Sequence, residues 1–159
     1  MASHNKSTTA RQELVNTLET MNPAQKFYVM FFHSGGYVGM PTIGPVDVTP
    51  DNIRAMKNWL FSVGHTFGSD PTKAVQHALE LVPAPDTVWL LSDGKFSPKA
   101  VTAIRNANDS INSHINTIGF YSHEGEQVLH QIADENRGVY RFVPPPNATP
   151  APASSGNTP

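Results

Sequence analysis

Three helix starts in this 159-residue chain share one construction: Thr49-Pro50, Asp70-Pro71 and Ser97-Pro98 each set a capping residue before a proline. The cap's side-chain oxygen accepts an otherwise orphaned amide. The proline has no amide to lose, and its φ already suits the first helical position. Each start opens a run with apolar residues at helical spacing. Ile53, Met56, Trp59, Leu60 and Val63 follow the first, Ala74, Val75, Ala78 and Leu79 the second, and Val101, Ile104, Ala107 and Ile111 the third. Strand-like runs alternate with these helices, at Thr87–Leu91 and His114–Tyr121. A further helix over 125–136, with Val128, Leu129, Ile132 and Ala133 inward and Gly138 near its C-terminal cap, leads to a last strand, 139–143. Strand and helix in alternation with short links predict an α/β fold: an open, mainly parallel sheet with helices on both faces.

The chain's first third is less regular. Leu14, Val15, Leu18 and Met21 share one face of a helix expected over 10–21, which Asn22-Pro23 ends. The run 26–34 is apolar almost throughout, which suits a strand covered on both faces, and Gly35-Gly36 breaks it. Thr42–Val48 is weakly strand-like, and its Gly44-Pro45 suits a sheet edge. From Pro144 onward, PPPNATPAPASSGNTP holds too few apolar residues for a core and reads as a disordered tail or linker. The expected division is one domain over 1–143 and a tail over 144–159.

Composition narrows the function. A net charge of −2 gives no basic field for nucleic acid or a membrane surface, and no apolar run reaches a membrane span's length. The absence of cysteine excludes disulfides, thiol catalysis and Cys-ligated zinc. Seven histidines show no metal-binding spacing, and the chain has no phosphate-binding glycine loop and no Gly-x-Ser-x-Gly. Enzymatic chemistry has little footing.

One stretch does carry chemistry: DTVWLLSDGKFSP runs from a buried strand straight into Ser92-Asp93-Gly94. In open α/β sheets ligands bind beyond the carboxyl ends of the strands, where Asp93 stands. Ser69 and Asp70, in FGSDPTKA, open a helix expected on the same edge. A hydroxyl and a carboxylate converging there would suit a hard cation, Mg2+ or Mn2+. The simplest role of Asp70 is helix capping, and Asp93-Gly94 also has the form of an ordinary Asx turn.

Taken together, FGSDPTKAVQHALEL, DTVWLLSDGKFS, INTIGF and LHQIADENRGVYRFV resemble, in order and spacing, a von Willebrand factor A domain of bacterial type over roughly residues 9 to 143. The resemblance implies a non-enzymatic interaction domain with a metal-ion-dependent adhesion site. That site is built from an Asp-x-Ser-x-Ser loop after the first strand, a Thr from a second loop and an Asp from a third. Ser69 stands in the Thr position and Asp93 matches the Asp, so these two are the expected metal residues. Mg2+ or Mn2+ is the expected ion, and a partner protein's acidic side chain would complete its coordination.

The first loop is absent: no Asp-x-Ser-x-Ser occurs in the sequence, and no apolar strand precedes Met1-ASHNKSTT. Met1 is read as the methionine that follows that loop in many relatives, and the domain as lacking its first strand. That strand is central in the family, between those matching Phe27–Phe32 and Thr87–Leu91, so these two must either close up or lose backbone partners. The resemblance thus implies an incomplete metal site. Two alternatives stand beside it: a metal-independent interaction scaffold, and an α/β hydrolase or phosphatase using Asp93, against which Lys95 occupies the place of a second aspartate.

Overall fold

The computed structural model describes residues 2–33, 35–64 and 70–145, the side chains of 2–7 excepted. The expected tail therefore lies outside the described residues beyond Pro145. The architecture is α/β. Its parallel part is the sheet of β5 (Thr87–Ser92), β6 (His114–Phe120) and β7 (Tyr140–Val143), in the order β5-β6-β7. The strands fall within a residue of the ranges expected from sequence. The helices between them are α4 (Lys99–Asn108) and α5 (Glu126–Glu135), preceded by α3 (Thr72–Leu79).

Capping chemistry sets several of these boundaries. The Thr49 side chain accepts the Asn52 amide at the start of α2 (Pro50–Ser62). Asp70 Oδ1 accepts the Thr72 amide at 3.0 Å, and Ser97 Oγ that of Lys99 at 3.3 Å. Asp70 thus braces the turn into α3 through the Thr72 amide, one residue ahead of the N-cap position, which Pro71 takes, as Pro98 does for α4. Ile111, expected on the inner face of α4, lies beyond the helix end and is exposed.

The N-terminal third differs from expectation in three ways. Helix α1 (Ala2–Glu19) starts eight residues before the expected Ala10. The stretch ASHNKSTT holds neither glycine nor proline, so nothing in it stops the helix from extending backward. The long apolar run forms two strands, β1 (Lys26–Phe27) and β2 (Met30–His33), because each finds a different antiparallel partner: β4 (Val46–Asp47) for β1, and β3 (Gly36–Gly39) for β2. And β2 does not pair with β5. The described strands therefore form three hydrogen-bonded units instead of one continuous sheet.

Two apolar clusters hold the elements. Val15 and Leu18 of α1 pack with Met56 and Leu60 of α2 and with Phe27, Val29, Met40 and Val48; Phe31 joins them from β2. Arg11 ties the two helices, donating from Nη1 to Leu60 O at 2.8 Å and from Nη2 to Val63 O at 2.9 Å. These are carbonyls at the end of α2, where a cation is favoured. The second cluster joins Val75 and Leu79 of α3, Leu90 of β5, Val101 and Ile104 of α4, Ile115 of β6 and Ile132 of α5, with Phe32 packed against it. Phe31 and Phe32 thus point to opposite clusters, and β2 is covered on both faces. Around β5–β7 the arrangement is one-sided. The face carrying Val88 and Leu90 meets the helices, whereas Trp89 and Leu91, on the other face of β5, are 53% and 37% exposed.

At the amino end of β6 a buried polar network replaces apolar packing. Asn108, at the end of α4, donates from Nδ2 to Ser113 O (2.8 Å) and Asn136 Oδ1 (3.0 Å) and accepts the Ser113 amide (2.9 Å). Asn136 in turn donates to Ile132 O, which fixes its orientation. Every polar atom named is paired, as a buried network requires.

Candidate functional site at the carboxyl edge of the sheet

Strand β5 ends at Ser92, and the chain must turn at once to enter α4. Gly94 supplies the turn with φ +73°, in the left-handed region that disfavours side chains. Ser92 Oγ, buried, accepts the Gly94 amide at 3.0 Å, and Asp93 Oδ1 accepts the Lys95 amide at 3.3 Å. Asp93 itself is half-buried, at the carboxyl end of the strand. The structure therefore shows both features read from the sequence, a strand-end carboxylate and an Asx turn, in one residue.

The loop after β6 meets this turn directly. Gly94 and Gly125 lie main chain to main chain, so that a Cβ on either would run into the other's backbone. The Lys95–Glu124 ion pair closes the contact from outside. Hydrogen bonding to Glu124, then that carboxylate's charge, holds the Lys95 ammonium above the ordinary lysine range. Beside it, the His123 ring stacks on Phe142 with centroids 3.7 Å apart, and its Nδ1 lies 2.8 Å from Glu126 Oε2. Glu126 Oε1 lies 3.8 Å from His130 Nε2, and the His130 ring packs against Tyr140. Burial, then the nearby Glu126 carboxylate, raises the Tyr140 phenol's pKa. Tyr121 takes a left-handed φ of 64° as the chain leaves β6, an unusual conformation for a tyrosine at a loop entrance.

Of the two expected metal residues, Asp93 occupies the expected position. Ser69 lies outside the described residues, and its distance from Asp93 with it. The loop carrying His123, Glu124, Gly125 and Glu126 did not emerge as part of the site from the sequence. The available signal was its place: it follows a strand parallel to β5, so it opens on the same edge. A divalent ion of the expected kind takes about six oxygen ligands. Among the described residues no three His, Cys, Asp or Glu side chains come together to hold a metal. The described residues thus supply one candidate carboxylate, not a ligand set. No described helix is long and apolar enough to cross a membrane.

Comparison with known proteins bears on the same frame. Among solved structures, a von Willebrand factor type A protein from Catenulispora acidiphila superposes with a TM-score of 0.76 at 18% identity, over 88% of this chain and 34% of that one. Proximal thread matrix protein 1 from the mussel byssus gives a TM-score of 0.65, also at 18% identity, over 88% of this chain and 37% of its own. The chain spans about a third of the length of these structures, and the likeness at such identity is one of fold. No curated protein matched the chain. The sequence pattern of the family described as von Willebrand factor type A domain matches residues 1–142, which include β5, the Asp93 turn and the β6 loop, and the chain belongs to that family.

Proposed function

We propose that this domain binds a partner protein through the carboxyl edge of its sheet, with Asp93 at the centre of the contact. Domains of the family generally serve as interaction modules, and the position of Asp93 carries the reading: a half-buried carboxylate at a strand end, in a turn braced by Gly125. In the fuller form of the proposal, Asp93 and the Ser69 hydroxyl are the two ligands that this chain offers to Mg2+ or Mn2+. An acidic side chain of the partner takes a further position. Two ligands fall well short of the six that Mg2+ requires, and the ion sheds water reluctantly, so the chain by itself holds it weakly. Calorimetric titration with Mg2+ and with Mn2+, on the wild type and on Asp93→Ala, tests this. The expected result is binding no tighter than millimolar that is lost in the variant. Micromolar binding that survives Asp93→Ala would refute the assignment.

The metal-independent scaffold has its own supporting observation. Asp93 Oδ1 already accepts the Lys95 amide, so the carboxylate has a structural task without any ion. An absence of any Asp93-dependent metal signal would favour it. The hydrolase alternative gains nothing from the geometry. Lys95, in the place of the second aspartate, is paired with Glu124.

A further inference from the structure

The sequence contains one Asp-Gly pair, Asp93-Gly94, and no Asn-Gly. Such a pair is among the most easily rearranged in a polypeptide, because glycine sets no side chain beside its own amide nitrogen and leaves the backbone free to turn. That nitrogen attacks the aspartate's carboxyl carbon and forms a new N–C bond. One carboxyl oxygen departs as water, taking the amide proton and a proton from solvent. The five-membered imide that results takes up a water at either carbonyl. Opening at the side-chain carbonyl restores aspartate. Opening at the main-chain carbonyl leaves isoaspartate, whose main chain runs through Cβ and is one atom longer. Nothing is oxidised or reduced, and water is the only co-reactant.

The turn after β5 restrains each participant. The attacking nitrogen is occupied, since the Gly94 amide donates to the buried Ser92 Oγ at 3.0 Å. The carboxylate is occupied, since Asp93 Oδ1 accepts the Lys95 amide. The main-chain carbonyl that must join the ring lies against the β6 loop, so close that a Cβ on Gly125 would stand 2.5 Å from Asp93 O. The product has no room either. A Cβ on Gly94 would stand 2.5 Å from Gly125 O, so a main chain lengthened by one atom cannot keep this contact. Ring closure therefore waits on an opening that parts the two loops, a rare event in a folded domain. We propose that Asp93-Gly94 is a modification site, at which aspartate converts spontaneously to isoaspartate when the loops part, and that Ser92 and Gly125 hold the conversion back. The isomer carries its carboxylate directly on Cα, one carbon shorter, beside a displaced β6 loop. It no longer presents the edge described above. The rearrangement stands whatever Asp93 binds, and only the resulting loss of binding rests on the function proposed above.

The intact chain is incubated in EDTA, folded in buffer and unfolded in guanidinium chloride, and isoaspartate at residue 93 is counted by peptide mass spectrometry with electron-transfer fragmentation. EDTA makes the result independent of any metal site. The expected outcome is accumulation at residue 93 in the unfolded chain, and at least tenfold slower accumulation in the folded one, where only the open fraction reacts. Ser92→Ala frees the Gly94 amide and should raise the folded rate several-fold, whereas Ser92→Thr keeps the hydroxyl and should leave it at the wild-type value. Gly125→Ala wedges the loops apart and should also raise it, so that either variant tests the restraint if the other fails to fold. Hydrogen exchange along β6 establishes which variants are folded. Equal rates in folded and unfolded wild type would overturn the proposal, as would no isoaspartate at residue 93 in either. So would a folded Ser92→Ala or Gly125→Ala no faster than wild type, or a Ser92→Thr as fast as Ser92→Ala.

Discussion

Replacing Asn108 by aspartate changes one amide into a carboxyl of nearly the same shape, and the structure gives the consequence. The Nδ2 donates to Ser113 O and Asn136 Oδ1, two acceptors whose own orientations are fixed by the chain and by the Asn136–Ile132 bond. A carboxylate oxygen there faces both with nothing to donate. Two buried acceptors are left unpaired, at about 1–3 kcal/mol each. The expected cost of N108D near neutral pH is therefore about 2–6 kcal/mol, a large part of a domain stability of about 5–15 kcal/mol. Protonation restores one donor, so the carboxyl's pKa is raised in the folded state above its unfolded value of about 3.9. Between the two pKa values the unfolded chain has lost the proton and the folded one keeps it. The cost thus grows with rising pH, by about 1.4 kcal/mol per unit. Urea denaturation of wild type and N108D at pH 5 and pH 7.5 measures it, as the difference between proteins at each pH. A cost that is the same at both, or below about 1 kcal/mol at pH 7.5, would show that the network does not hold α4 and α5 as described.

Gly125→Ala places a methyl group against the Gly94 main chain and should destabilise the domain by about 1–3 kcal/mol through overpacking, read as a lowered urea midpoint. Thr49→Ala removes the α2 cap and should cost about 1 kcal/mol, with Thr49→Gly costing only a few tenths. Fusing an apolar strand and an Asp-x-Ser-Gly-Ser loop ahead of residue 1 should stabilise the domain by several kcal/mol, read as a raised urea midpoint, since backbone bonds along β5 contribute about 1 kcal/mol each. It should also bring Mg2+ binding into the micromolar range by calorimetry. Equal midpoints for the two forms would show that the added strand does not pair along β5, and would favour the metal-independent scaffold.

How much of this was legible in the sequence depended on how local each cause was. The starts of α2, α3 and α4, within a residue of Pro50, Pro71 and Pro98, were readable because a side-chain acceptor and a proline act within three residues. β5 and β6 were readable because both are apolar along most of their length whatever lies beside them, although one face of β5 is exposed. The split of 26–34 into β1 and β2 was not, since it depends on which distant residues pair with Lys26 and with Met30. β3 was hidden by its glycines, which have low strand propensity and are tolerated here because the hairpin partner supplies the packing. Asp93 could be found as a strand-end carboxylate. Its neighbours His123, Glu124 and Glu126 could not, because their approach is set by the contact of Gly125 with Gly94, about thirty residues away in sequence.

That glycine contact has a counterpart at the far end of the same two helices. Helices α4 and α5 begin just after the loops that hold Gly94 and Gly125, and they end at Asn108 and Asn136, which hydrogen-bond each other. The pair is clamped at both ends, bare backbone against backbone at one and amide to amide at the other. Such a bracket has no free end about which to hinge. A load applied at Asp93 cannot be absorbed by one loop swinging aside. It must either be borne by the whole bracket or slide both helices together against β6. A partner that grips this edge thereby pulls on the buried asparagines as well.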